Sequence, residues 1–131
     1  MELRIKGFWL FIGFGFVLLV AYLSLTPDRP DLDIPQGMKI GHVLAYAWLM
    51  LWYAQIYQAG STRCRLAAMF CLMGIGLEYL QGLTDYRSFE YSDMVLNSAG
   101  VAIGFLLGYT PLQYGLRTLE NTATRRPLPK S

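Results

Sequence analysis

Long apolar runs separated by short charged connections dominate the chain. Between Lys6 and Asp28 no side chain ionises near neutral pH, and a bilayer core of about 30 Å needs only about 20 apolar helical residues. Ile40 to Thr62 is interrupted only by His42, Leu66 to Thr84 only by Glu78, and Met94 to Leu116 carries no charge. Pro111 predicts a kink or an end of the last run near Tyr109, because proline lacks the donor that a helix interior needs. Core helices of soluble proteins are rarely so long and so uncharged four times over. The pattern predicts an all-α, polytopic integral membrane protein with four transmembrane helices in a small bundle, spanning about 7–27, 40–59, 66–84 and 94–110. Residues 1–116 form the transmembrane domain on this reading. From Leu116 to Ser131 the chain turns polar, with Pro127 and Pro129, and reads as a disordered cytoplasmic tail.

Basic residues orient the spans. Arg4, Lys6, Arg63, Arg65, Arg117, Arg125, Arg126 and Lys130 fall on one side. The other side has Arg29, Lys39 and Arg87 against six acids, Asp28, Asp31, Asp33, Asp85, Glu90 and Asp93. Basic residues are retained in the cytoplasm, so both termini and the Gly60–Arg65 turn are expected inside, and the 28–39 and 85–93 loops outside. The first run follows Arg4 and Lys6 as a signal peptide would. Its uncharged stretch exceeds a 7–15-residue signal core and no small-x-small cleavage site follows, so an uncleaved span is expected.

Composition agrees. Of 131 residues, 54% are hydrophobic and 15% charged, against about 25% charged in ordinary globular domains. That excludes disorder, nucleic-acid-binding arms and ordinary cytosolic enzymes, and a net charge of +2 is too small to suggest a polyanionic partner. Cys64 and Cys71 are too few for a disulfide scaffold.

Polar residues inside the runs carry the candidate chemistry, since each is costly in lipid unless it faces protein or water. Glu78, Gln81 and Asp85 share one helical face, with Glu78 about 10 Å below the outer end. Asp93 and Asn97 are spaced i, i+4 and continue into Gly100, Gly104 and Gly108, a stripe of small residues that lets two backbones touch. Asp93 also reads as a helix N-cap. Lys39, His42 and Tyr46 form a third stripe, and Tyr53 and Tyr57 read as interfacial belt or packing. Lys39, His42, Glu78, Gln81, Arg87, Asp93 and Asn97 therefore collect at one depth, whereas the cytoplasmic halves of the same helices hold almost no polar side chains. The alternative is a purely structural network in which Glu78 neutralises Lys39 or Arg87. No HExxH, CxxC, Walker, GxSxG or dinucleotide motif is present, so neither a metal nor a cofactor is expected.

Ser24-Leu25-Thr26-Pro27, Lys39-x-x-His42-x-x-x-Tyr46, Glu78-x-x-Gln81 and Arg87-x5-Asp93-x3-Asn97-x2-Gly100-x3-Gly104 together resemble the VanZ-like membrane proteins, over residues 20 to 108. Met38 stands where many relatives carry an acid. The family is named for a protein associated with reduced susceptibility to the glycopeptide teicoplanin. The resemblance implies a small helical protein of the bacterial inner membrane, connected with the cell envelope, and it supplies no reaction.

Two function classes follow. In the first, an outward-facing pocket of Lys39, Gln81, Arg87, Asp93 and Asn97 binds or modulates an envelope lipid headgroup or lipid-linked glycan. Arg87 would supply a bidentate fork and Lys39 a point charge for phosphate. In the second, an intramembrane enzyme acts on such a lipid with His42 and Glu78 as acid and base. Partners are membrane lipids or the lipid-linked glycan, and no nucleic acid. A transporter is disfavoured because one four-helix protomer is thin for a conduction path, and a channel would need an oligomer.

Overall fold

The computed structural model describes residues 3–25, 37–83 and 91–124. Within them lie five α-helices and one 3₁₀ turn, with no strand: α1 (Lys6–Leu25), α2 (Gly37–Ile56), α3 (Gly60–Gly82), α4 (Tyr91–Leu107), the turn at Pro111–Tyr114, and α5 (Gly115–Thr124). Helices α1 to α4 coincide with the four apolar runs, their ends displaced by a few residues. The largest displacement is at α3, which starts at Gly60 and so takes Arg63 and Arg65 into its first turns.

Helix α2 is the axis of the bundle. Its Tyr46, Leu49, Met50 and Ala54 are buried with Phe70 of α3 and Val101 of α4. It runs parallel to α4, and the two backbones touch along the glycine stripe. A Cβ added at Gly100 would fall 2.5 Å from the Val43 carbonyl oxygen. At Gly104 it would strike the Ala47 carbonyl oxygen, and at Gly108 it would lie 2.8 Å from Ala54 Cβ. Hydrophobicity cannot drive apolar helices together in lipid, and close backbone approach with dense dispersion contact is what replaces it. Helices α1 and α3 run antiparallel to this pair. Helix α1 meets α2 through aromatic edges: Trp9 and Phe16 lie 5.9 and 5.0 Å from Trp52, and the Trp52 indole donates to the Trp9 carbonyl at 3.0 Å. Gly13 seats that ring, since a Cβ there would lie 2.9 Å from it.

The outer faces of these helices are apolar. On α1 only Gly13 and Ser24 are buried, and Phe11 is 76% exposed, beside exposed Phe8, Phe14, Leu18 and Tyr22. By length and apolarity alone, α1 is the one helix among the described residues that could cross a membrane unaided. Helix α4 qualifies only together with the following segment, Pro111–Ala123, from which it is bent by 76°. The apolar part of α2, Ile40–Ile56, is shorter than a span, and α3 begins with two arginines and ends with Glu78 and Gln81. Polar groups at the helix ends thus shorten the apolar stretches that the sequence suggests.

Beyond α4 the structure corrects the expected tail. Thr110 accepts from the Leu112 N–H at 3.3 Å and Pro111 opens the 3₁₀ turn, consistent with a helix ending before that proline. The chain then stays ordered through α5 instead of becoming disordered from Leu116. Leu116 is buried against Trp52 and Ile56, and its N–H donates to Gln55 Oε1 at 3.0 Å. Gly115 leaves room for that amide, because a Cβ would come within 2.6 Å of it. Only one turn of α5 needs to face inward, a signal too short to stand out in a polar sequence.

Candidate functional site

Four helix ends converge at one end of the bundle: the last turns of α1 and α3 and the first turns of α2 and α4. Glu78, Gln81 and Asn97 are 1%, 2% and 3% exposed, and Asp93 is 7% exposed. These polar side chains point inward, while Leu72, Tyr79 and Leu80 of α3 and Val95 of α4 are exposed. The Gln81 amide donates to the Ser24 carbonyl, one of the carbonyls that a helix C-terminus leaves without an intrahelical partner. Asn97 lies against Gly74, where a Cβ would come within 3.1 Å of its side chain and 3.4 Å of the Tyr46 ring. Glycine at 74 therefore lets α2, α3 and α4 meet at one point. His42 Nε2 stands 3.8 Å from Asp93 Oδ2, both side chains partly open at 14% and 10%. Asp93 occupies the first turn of α4 rather than its N-cap, where a carboxylate also suits the positive end of the helix dipole.

Two polar atoms in this cluster are buried without a hydrogen-bond partner among the described residues: the Tyr46 hydroxyl and Asn97 Oδ1. An orphaned buried polar group costs about 1–3 kcal/mol, so a cluster that keeps two has unspent binding capacity. Of the residues that the sequence singles out, the structure brings together His42, Glu78, Gln81, Asp93 and Asn97, and it adds Tyr46 and Ser24. Gly100, Gly104 and Gly108 lie on the α2–α4 contact below them. The Lys39 side chain and all of Arg87 lie outside the described residues.

The opposite end corrects a second expectation, that the inner halves of these helices are nearly devoid of polar side chains. Arg63, placed by the sequence in the Gly60–Arg65 turn, is 1% exposed. Its guanidinium donates to the Tyr57 carbonyl at 2.9 Å, the Ala54 carbonyl at 2.7 Å and Gln113 Oε1 at 3.3 Å, and it stacks on the Tyr109 ring at 5.0 Å. Ala54 lies in the last turn of α2 and Tyr57 directly follows that helix, whose free carbonyls and negative dipole end suit a cation. Glu120 is the second such group. It accepts from the Arg4 and Ile5 N–H at 2.8 and 3.1 Å and from the Trp9 indole at 2.7 Å. Burial pushes its carboxyl up, but the Arg4 and Ile5 donors, the Trp9 donor and the Arg4 charge outweigh that and hold it below its ordinary value. Glu120 thereby ties the start of α1 to α5, which no local pattern announces across more than a hundred residues. Among the described residues no group of three or more His, Cys, Asp and Glu is placed to hold a metal ion.

Residues 3–112 match the family described as VanZ/LLP1. The chain is also similar to an uncharacterized protein of the fission yeast Schizosaccharomyces pombe, with 27% identity over 113 residues, which is 84% of this chain and 66% of that protein. It thus spans just under two thirds of the curated relative's length. No solved structure matches this chain.

Proposed function

The chain belongs to the VanZ/LLP1 family, and from that premise we propose that it is a polytopic membrane protein whose polar end binds the headgroup of a lipid or lipid-linked glycan. The carrying observation is the buried Tyr46 hydroxyl and Asn97 Oδ1, both without a partner among the described residues, inside a cluster that also holds Glu78, Gln81, Asp93 and His42. A hydroxyl- or amide-rich headgroup would satisfy both atoms, with Glu78 and Asp93 accepting from its hydroxyls. Lys39 and Arg87, adjoining this end in sequence, would hold its phosphate. His42 and Asp93, the more open members, stand at the entrance.

The inverted pattern of the bundle supports the membrane reading. Glu78, Gln81, Asp93 and Asn97 are buried while Phe8, Phe11, Phe14, Leu18, Leu72 and Trp48 are exposed, as suits a solvent of acyl chains. Four spans, with the 28–39 and 85–93 loops on the far side from the termini, follow from the basic-residue asymmetry. The fission-yeast relative argues for a ligand defined by headgroup chemistry rather than by one kind of envelope. In a bacterial host the corresponding phenotype would be altered glycopeptide tolerance.

Native mass spectrometry of the protein purified with host lipid tests the reading. Wild-type protein should retain a polar lipid that Tyr46→Phe and Asn97→Leu lose at matched folding and yield. Equal retention by all three would leave the cluster a structural network. The His42–Asp93 pair favours a second reading, in which an imidazole oriented by a carboxylate does acid–base chemistry on the same headgroup. Turnover of the retained lipid on incubation, abolished by His42→Gln, would select it.

A further inference from the structure

At the other end of the bundle a cleft of about 280 Å³ opens between the start of α1, the end of α2 and α5. Lys6 and Arg117 line it together with the amides of Gln55 and Gln58 and the Tyr57 ring, and no acidic side chain is among its lining residues. Both cations are steered by aromatic faces: Lys6 Nζ lies 4.5 Å from the Tyr57 ring centroid and the Arg117 guanidinium 5.3 Å from that of Tyr114. A cation held on a ring face still presents its N–H donors sideways, so the pair is positioned without being neutralised by that contact.

We propose that this cleft is a second binding site, for a phosphate group, and that its occupant is the headgroup of an anionic phospholipid in the adjoining leaflet. It shares with the reading above only the membrane placement and involves none of the same residues. Three observations lead there. The cleft is slightly smaller than the usual run of ligand pockets, about 300 to 1,000 Å³, so it fits a headgroup and not an acyl chain. Its lining pairs a guanidinium fork with an ammonium and two amides, the donor set that phosphate oxygens take. Its level is that of a headgroup layer, because the segment carrying Arg117 turns away from α4 by 76°. That turn leaves Leu112, Tyr114 and Leu119 exposed, as in a helix that lies along an interface with apolar residues down. Gly115 and the hydrogen bond from the Leu116 N–H to Gln55 Oε1 hold the turn, so the floor of the cleft is built before any ligand arrives.

The test uses the full chain in a neutral maltoside detergent, with three probes: short-chain phosphatidylglycerol, the matched phosphatidylcholine, and inorganic phosphate, each titrated by calorimetry. Phosphatidylglycerol should bind saturably and phosphatidylcholine much more weakly. Each basic residue near an anionic headgroup is worth roughly fivefold, so Arg117→Gln should lose about that factor and Lys6→Gln/Arg117→Gln about thirtyfold. Arg65→Gln, which removes the same charge from an exposed site on α3, should change affinity less than twofold. Lys6→Arg keeps the charge and should stay within about threefold, whereas Arg117→Lys keeps the charge but loses the fork and should fall between wild type and Arg117→Gln; the single variants carry the test if the double variant does not fold. Inorganic phosphate binding as tightly, with the same dependence on Lys6 and Arg117, would keep the site and reassign its occupant to free phosphate. Unchanged affinity in the Lys6→Gln and Arg117→Gln variants, or an equal loss in Arg65→Gln, would overturn it.

Discussion

One methyl group tests how α2 and α4 are held together. Replacing Gly104 with alanine places a Cβ against the Ala47 carbonyl oxygen and 2.8 Å from Met50 Cβ. Neither obstacle is the far end of a flexible side chain, so the two helix backbones must separate. Overpacking costs about 1–3 kcal/mol, and a backbone obstacle puts this site in the upper half of that range. Alanine recovers at most about 1 kcal/mol of helix propensity over glycine, leaving a net loss of about 1–2 kcal/mol. Gly76 on α3 provides the control, because a Cβ there meets nothing within 4 Å. The same substitution at 76 keeps only the propensity gain and should stabilise by up to about 1 kcal/mol. The two variants should therefore separate by about 2–3 kcal/mol in opposite directions from wild type. Equilibrium denaturation in mixed micelles, followed by tryptophan fluorescence, reads the difference. Gly104→Ala as stable as Gly76→Ala would refute a backbone contact along this stripe.

Further outcomes follow from the two ends of the bundle. Arg63→Gln should be among the most destabilising single changes, by about 3 kcal/mol, because it strips charged hydrogen bonds from the buried Ala54 carbonyl and the part-buried Tyr57 carbonyl; Arg63→Lys should recover only part, since one ammonium cannot copy the fork, and denaturation midpoints read both. Glu120 makes stability pH-dependent. Its folded-state pKa lies below the ordinary value of 4.5, so its contribution is full above that value and is lost as pH falls through the folded-state pKa. The stability gap between wild type and Glu120→Gln should be flat near neutrality and shrink below about pH 4.5, and a gap that widens on acidification would contradict the clasp. Tyr46→Phe should leave the lipid-free protein no less stable, because the hydroxyl it removes has no partner among the described residues, as thermal melts of delipidated protein will show.

Periodicity and charge alone determined the helical class, the positions of four main helices and the end of the last before Pro111, because each rests on a local property: an apolar run, a missing donor, a cluster of arginines. The spacing of Glu78 and Gln81, and of Asp93 and Asn97, likewise puts each pair on one helical face whatever the fold. Tertiary structure decided the rest. It revealed that Tyr46 joins those pairs, because the meeting of α2, α3 and α4 depends on Gly74 having no side chain. It turned Arg63 from one basic residue of a turn into a buried cap, since that role exists only when the carbonyls at the C-terminal end of α2 are brought beside it. It ordered residues 115–124, whose sequence is polar and whose stability comes from Leu116 and Glu120 reaching partners as far away as Arg4. Contacts of that kind leave no trace in local pattern, because the groups that satisfy them are supplied by the opposite end of the chain.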